Sequence, residues 1–499
     1  MAAAVAPGFL QAQKTDKRPN ILFAISDDQS WKHASAYGCP FVKTPAFDRV
    51  AQNGVLFNNV FAAAPQCSPN RAAILTGRHI WQLEEAGTHN SNFPRKFEVF
   101  TDELEKAGYQ CGVTGKPWGP GNYQITGWPG NPAGPEFNEH FYDERPLGGI
   151  SKYNYAENFK TFLDKKSDDK PFFFWFGAFE PHRSYQKGSG VAAGKSPEQA
   201  TPPAFLPDHD VIRNDLLDYA VEIEWFDSHL DKMLKLLDER GELQNTLVVV
   251  TSDNGMPFPR AKANLYEYGT HMPFAVQWPE RIKGGRVVDD LISFVDIAPT
   301  FLNIADAPVP DMVTGKSFMN VLYSEKAGLV DPGRSQVFFG RERHTHARPD
   351  NLGYPARAIR TADYLYIENM KPDRWPAGNP TGSGEPEGYH DIDACPSKTF
   401  IIEHRKEYSE LASLSLDKRP AEELFDIKKD PACMDNLANR SEYHDIKIEL
   451  KKTLHATLAT QGDPRMHANG DIFESYPRYS HMRDFPGFKK RGQYNPDYY

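Results

Sequence analysis

Two apolar runs of the sequence each close on a pair of oxygen-bearing side chains. "NILFAISDD" ends in Asp27 and Asp28, and "NTLVVVTSDNG" carries Asp253 and Asn254 at its end. Oxygen ligands with no histidine or thiolate among them suit a hard divalent cation, Ca2+ or Mg2+. One such pair is the ordinary cap of a following loop, whereas two pairs after two like runs make a candidate metal centre. Between them in the chain stands "APQCSPNRAAILTGR", residues 64–78. Here Cys67 precedes Ser68, Pro69, Asn70, Arg71 and what reads as the first turns of a helix. A plain buried thiol is the usual fate of a cysteine, but that fate asks for no proline, arginine or helix start beside it. "YQCGVTGK" and "KPFFFWFGAFEPH" are two further apolar runs, leading to Lys116 and His182.

The elements that must position these residues alternate along the chain. The four runs read as buried strands of a mainly parallel sheet, whose strands are covered on both faces. Helical patterns lie between them at 44–54, 71–77, 97–108 and 214–241. In the last, Leu216, Tyr219, Ile223, Phe226, Leu230 and Leu234 recur at helical spacing and Gly241 supplies a stop. The alternation predicts an α/β fold, a large domain with a central, mainly parallel sheet flanked by helices. In open sheets of this kind ligands bind beyond the carboxyl ends of the strands, where Asp27, Asp28, Asp253 and Asn254 all fall. From about residue 357 the character changes. "RAIRTADYLYIENM" reads as a hairpin and is followed by a Pro/Gly-rich stretch, "EELFDIKKDPACMDNLA" and a helix near 443–460. These predict a smaller C-terminal α+β domain with an antiparallel sheet. The expected division is a leader over 1–18, a catalytic domain over 19–356, the small domain over 357–475 and an extended tail over 476–499 wrapping the surface.

The totals narrow the function. A net charge of −10 over 499 residues argues against nucleic acid as a partner, so any cations that bind an anionic substrate must be concentrated locally. Five cysteines (Cys39, Cys67, Cys111, Cys395 and Cys433) are too few and scattered for a disulfide framework, and none form a Cys-x-x-Cys pair. No run approaches the roughly 20 apolar residues of a transmembrane segment. The opening "MAAAVAPGFLQAQK" resembles the end of a trimmed signal peptide, which predicts an exported protein, periplasmic or secreted.

Cys67-Ser68-Pro69-Asn70-Arg71 matches the Cys-x-Pro-x-Arg signature of the formylglycine-dependent type I sulfatases, and "AAILTGR" continues the match. The two acidic strand ends, "GK" at 115–116 and "EPH" at 180–182 follow in that family's order, so the resemblance covers most of residues 19–310. "ELFDIKKDPACMDNLA" is similar to a C-terminal segment of the same family. The resemblance implies an alkaline-phosphatase-like fold and a Cys67 oxidised to formylglycine by a maturation enzyme. It also implies Ca2+, rather than Mg2+, on Asp27, Asp28, Asp253 and Asn254. It gives Arg71 the task of holding the formylglycine, Lys116 and Lys262 contacts to sulfate oxygens, and His182 a contact to sulfate or the leaving atom. Two departures stand out. Many relatives have a histidine shortly after the lysine, where this chain reads "GKPWGPG" with Trp118. His271 stands where many carry arginine, and is the candidate to take up part of the lost role.

"SDNGMPFPRAKANLY" and "FEPHR" look more like the sulfamidase (heparan N-sulfatase) branch than the arylsulfatases, which implies a sulfated saccharide substrate. The cationic stretch 340–360 offers Arg341, Arg343, His344, His346 and Arg348 to read carboxylates or further sulfates. His89 and Arg374 are further candidates for sugar contact. A phosphate or phosphonate monoester hydrolase and a non-catalytic sulfated-sugar-binding protein are the alternative readings.

Overall fold

The computed structural model describes residues 18–385 and 387–485. The expected leader, apart from Arg18, and the tail beyond residue 485 lie outside the described residues. The large domain carries β1 (Asn20–Ser26), β2 (Val55–Phe57), a short β3 (Val60–Phe61), β4 (Gln110–Gly115), β5 (Phe172–Gly177), β6 (Thr246–Ser252), β7 (Phe274–Gln277), β8 (Arg286–Val288) and a short β9 (Ile292–Ser293). Seven of them form one sheet in the order β4-β5-β1-β6-β7-β2-β8, while β3 pairs with β9. The pairs β4-β5, β5-β1, β1-β6 and β2-β8 are parallel, and β7 runs antiparallel to both its neighbours.

Alternation along the apolar runs sends side chains to two cores. Ile21, Phe23, Ile25, Phe173, Trp175 and Val249 face one side, with α2 (Cys67–Thr76) and α3 (Phe100–Lys106) following α1 (Pro45–Asn53) in the chain. Leu22, Ala24, Phe174, Phe176, Val248 and Val250 face the other, against α1, α4 (Tyr155–Lys165) and, beyond the short α5 (Ser189–Ala192), the long α6 (Asp210–Glu239). Burial of each such side chain contributes about 1.5–3 kcal/mol, which is what keeps unbroken apolar runs as central strands. α6 begins four residues before the sequence pattern predicts, because His209 caps it by accepting from the Val211 amide at 3.2 Å. All five cysteines are free thiols. Among the described residues no helix is long and apolar enough to cross a membrane.

The smaller sheet is antiparallel in the order β10 (Gln336–Arg341), β11 (Ala356–Thr361), β12 (Tyr364–Asn369), β13 (Glu422–Asp426). The expected hairpin is β11-β12. The expected boundary at 356/357 falls inside this sheet, since β10 pairs with β11 along its whole length. The first tail residues lie against the small domain, where Arg343 donates to the carbonyls of Tyr476 and Pro477 at 2.6 and 2.7 Å.

A buried ion pair ties the two sheets together. Arg360 of β11 donates to Glu267 at 2.7 Å, and the other oxygen of Glu267 meets His271 Nδ1 at 2.9 Å. His271 also bonds the Asn58 carbonyl through Nε2 at 2.7 Å and stacks on Trp31 with ring centres 4.3 Å apart. Both of its nitrogens are thereby used in the scaffold, so His271 does not take up the proton-carrying role that the sequence suggests for it.

Burial opposes the charge on Glu267, but Arg360 and His271 outweigh it and hold the carboxyl down at about 2, from 4.5. A depressed carboxyl stabilises the fold above its unfolded value and loses that contribution as pH falls through the folded one, here between about 4.5 and 2. The shift corresponds to about 3 kcal/mol. Glu267→Gln is therefore expected to be less stable than the parent by about that amount at pH 7. In urea unfolding at a series of pH values, the gap between the two should close as pH falls toward 2.

Candidate active site

Strand registry sets the site. Ser26 lies opposite Ser252, and Gly115 opposite Gly177, so the chain leaves the sheet at Asp27, Asp253 and Lys116 along one edge. The Asp27 amide donates to the Glu180 carbonyl at 2.9 Å, the Asp253 amide to the Ser26 carbonyl at 3.0 Å, and the Asp28 amide to Asp253 Oδ1 at 3.1 Å. Gly115 makes the exit of β4 possible. Its φ is +79°, and a Cβ there would stand 2.0 Å from the Gly177 carbonyl oxygen, to which the Lys116 amide donates at 2.7 Å.

Ligand atoms of Asp27, Asp28, Asp253 and Cys67 lie within 4.8 Å of one another, and all four residues are buried. Asn254 lies against this group, donating Nδ2 to Asp28 Oδ1 at 2.6 Å, and its Oδ1 is buried without a hydrogen-bond partner. Three carboxylates and an unsatisfied amide oxygen fit a hard divalent cation, the donor chemistry of Ca2+ or Mg2+.

Cys67 is the first residue of α2, a helix buried along its whole length. Its Sγ stands 3.4 Å from Asp27 Oδ1 and 3.9 Å from Asp28 Oδ1. Burial, with the Asp27 charge added, pushes the thiol far up and keeps it neutral. Three cations surround the carboxylates. Lys116 Nζ donates to Asp27 at 2.5 Å, and Lys262 Nζ to Asp28 at 2.7 Å, with Asp393 3.1 Å away. Arg71 donates through Nε to Asp253 at 2.8 Å and through Nη1 to the Lys116 and Pro117 carbonyls at 2.6 and 3.1 Å. Burial by itself would raise the Asp27 carboxyl, but Lys116, His182 and Arg71 hold it well below the usual range. Asp253 goes the other way, to about 6, through burial and the neighbouring Asp27.

These groups open into a cavity of about 820 Å3. Of the residues predicted to act there, Cys67, Lys116, His182 and Lys262 line it, as do His89 and His344. His182 Nδ1 donates to the Arg183 carbonyl at 2.7 Å, while Nε2 lies 3.9 Å from Asp28. Trp118 also lines the cavity, but its indole N–H is spent on the Ser68 carbonyl at 3.1 Å, in the first turn of α2.

The cationic stretch mostly turns inward. Arg341 and Arg348 both bind Asp391 Oδ2, at 2.8 and 2.6 Å, and Arg343 holds the tail carbonyls already described. All three are buried to within 2%, so they are structural cations and not readers of substrate. His346 accepts from the Arg483 amide at 2.6 Å and packs on Phe485. Arg374 pairs with Glu474 at 2.6 Å and donates to the Gly353 carbonyl, away from the cavity. Sequence reasoning missed Asp393, which lines the cavity beside Lys262, and Asp391, whose Oδ1 lies 3.6 Å from His344 Nδ1. Both stand in "HDIDAC", after a Pro/Gly-rich stretch that no strand or helix frames.

Comparison with known proteins follows the same outline. Residues 19–307 match the sulfatase family model, and residues 260–376 match the model of the N-sulphoglucosamine sulphohydrolase C-terminal region. An ulvan-active sulfatase of Formosa agariphila is 27% identical over 90% of this chain and 76% of its own length. Human N-sulphoglucosamine sulphohydrolase is 27% identical over 70% of this chain and 73% of its own. N-acetylglucosamine-6-O-sulfatase of Bacteroides thetaiotaomicron is 24% identical over 88% and 86%. The solved structure of BT4656 in complex with its substrate D-glucosamine-2-N,6-O-disulfate has a TM-score of 0.65 at 22% identity, covering 89% of this chain and 98% of that one. That likeness establishes the shared fold. With the family model spanning more than half of the chain and the strand-end carboxylates, Cys67 and the lysines gathered at one cavity, this protein belongs to the sulfatase family and is a sulfuric ester hydrolase.

Proposed function

We propose that this sulfatase removes sulfate from a sulfated saccharide, using residue 67 in its formylglycine form and Ca2+ held by Asp27, Asp28, Asp253 and Asn254. The observation that carries the reading is the Cys67 Sγ, 3.4 Å from Asp27 at the floor of the cavity that Lys116, His182 and Lys262 line. A thiol kept neutral by burial is a poor nucleophile, which favours an oxygen function at this position. Formylglycine supplies a hydrated aldehyde, with one hydroxyl to attack sulfur and a second through which sulfate is released and the aldehyde restored. The cation supplies fixed positive charge for oxygens that gain negative charge.

The chain's own residues do the rest. Lys116 and Lys262 present their ammonium groups toward the sulfate position and stabilise charge there as it develops. Arg71, held by Asp253 and two carbonyls, cannot swing away and fixes the start of α2. Because His182 Nδ1 donates to the Arg183 carbonyl, Nε2 is the atom that passes a proton to the leaving oxygen or nitrogen. Cys67 is 1% exposed, so a maturation enzyme must reach it before the chain folds. The names of the sugar-acting relatives support a saccharide substrate, and the signal-like N-terminus supports export.

Cys67→Ser is expected to fold as the parent does, within about 1 kcal/mol in urea. Its sulfate release, measured by ion chromatography on N-sulfated glucosamine, 6-O- and 2-O-sulfated sugars and ulvan oligosaccharides, should fall by about 10^4-fold or more. Near-parental turnover would sink the mechanism, and mass spectrometry of the 64–78 peptide from active protein should show the converted residue. Dialysis against a chelator is expected to lower both turnover and melting temperature. Ca2+ at about a hundred times its Kd should restore about 2.7 kcal/mol of stability. Asp253→Asn should lose that Ca2+-dependent rise, and a rise as large as the parent's would remove Asp253 from the ligand set.

A further inference from the structure

One wall of the cavity plays no part in the proposed chemistry. It comes from the segment after β4, where residues 140–142 run antiparallel to 152–154. The Tyr142 amide donates to the Lys152 carbonyl at 2.8 Å, and the Asn154 amide to the His140 carbonyl at 3.0 Å. This short ladder holds up a tip that carries Arg145. On the ladder Phe141 packs against Tyr153 with ring centres 4.9 Å apart, and Tyr153 stacks on Phe179 at 5.3 Å and on Tyr155 at 5.9 Å. Tyr155 is fully buried and donates to Glu180 at 2.8 Å, the residue whose carbonyl receives the Asp27 amide. A chain of aromatic contacts therefore runs from Tyr155, which is tied to Asp27 through Glu180, out to the cavity wall, and at its outer end Phe141 leaves 53% of its surface in solvent.

Phe141, propped on Tyr153, offers solvent a half-exposed apolar ring. Arg145 is exposed, lines the same cavity as Phe141, and makes no hydrogen bond or ion pair among the described residues. The buried cations that line the cavity, Lys116, Lys262 and Arg183, are all paired with carboxylates. In a chain of net charge −10, an unpaired guanidinium at the mouth of an anion-binding cavity selects for a second negative group on the ligand. Carboxylate and sulfate both match the guanidinium fork, while the apolar face of a sugar ring matches Phe141.

We propose that Phe141, Tyr153 and Arg145 form a second sugar subsite, which takes the residue adjoining the sulfated one when that neighbour carries a carboxylate or a sulfate. The inference rests on the saccharide-sulfatase reading above. The subsite makes the enzyme act better on acidic oligosaccharides than on a sulfated monosaccharide.

The test compares kcat/KM for sulfate release from a sulfated monosaccharide and from disaccharides whose second sugar is neutral, a uronate or sulfated. The parent is expected to favour at least one anionic disaccharide over the monosaccharide by about tenfold or more. Arg145→Ala should erase the advantage of the anionic neighbour and leave the neutral disaccharide and the monosaccharide unchanged. The arm that responds, uronate or sulfate, names the anion. Phe141→Ala should lower every disaccharide several-fold and spare the monosaccharide. Variants that match the parent on all substrates, or that lower the monosaccharide by the same factor as the disaccharides, overturn the subsite and leave the saccharide reading standing. A parent that turns over monosaccharide and disaccharide alike also overturns the subsite. Release from no sugar at all, with residue 67 converted, overturns the saccharide reading and the subsite with it.

Discussion

Everything in the site depends on balancing three carboxylates packed into one buried corner. With Asp27, Asp28 and Asp253 within 4.8 Å of one another, each pair of charges repels by about 3 kcal/mol at an effective dielectric of about 20. Three such pairs approach the whole stability of a typical domain. The corner therefore cannot be assembled from the strands alone. Lys116, Lys262 and Arg71 each reach one of the carboxylates directly, and they come from three different places in the chain: the exit of β4, the loop after β6, and the second turn of α2. The opposite shifts of Asp27 and Asp253 follow from this geometry. Asp27 sits among most of the cations and stays charged, while Asp253 feels Asp27 beside it. A divalent cation in the same corner would relieve the repulsion that the protein's own cations leave.

The smaller domain contributes to that corner indirectly. Asp391 is clamped by Arg341 and Arg348, and Oδ1 also receives the Thr345 amide at 3.0 Å. This pins the backbone on either side of His344 and aims its ring at the cavity. Two residues on, Asp393 meets Lys262. The buried arginines of the cationic stretch thus act on the site by holding its far wall in place. Breaking such a buried pair leaves an uncompensated charge, which costs far more than the pair contributes when whole.

Much of this was legible in the sequence, and what was missed has physical reasons. β1, β4, β5 and β6 announce themselves because a strand buried on both faces must be apolar throughout, and their ends carry Asp27, Lys116 and Asp253. β2, β7 and β8 have three or four residues each, too short for periodicity to register. β10 is a short run, Gln336–Arg341, that ends in the first residues of the cationic stretch, where charge breaks the apolar pattern. Sequence shows that Arg341 is charged but not which way it points, and Asp391 stands 50 residues away, past β11, β12 and the irregular stretch that follows them. His271 misled for a similar reason. Its position in the chain suggested the site, while the Glu267–Arg360 pair that captures it is completed only by the second sheet.

The histidine missing near Trp118 can be placed in the same terms. The indole at 118 holds the Ser68 carbonyl and packs edge-on against Phe93, so the position serves to fix α2 and carries no proton. Three histidines remain on the cavity wall. Burial pushes His89 and His344 down, with His344 and Arg478 adding to the effect on His89, while for His344 burial outweighs the opposing pull of Asp391. Both are therefore neutral in the resting protein and suited to hydrogen-bonding a ligand's hydroxyls. His182 differs, with 38% of its side chain in solvent and Nδ1 committed to a carbonyl. On the proposed reading it carries the leaving-group proton alone, a task that a second histidine would share in relatives that keep one after the lysine. The cavity would then lose its proton donor with one substitution, while His89 and His344 would affect how the sugar sits and not how its bond breaks.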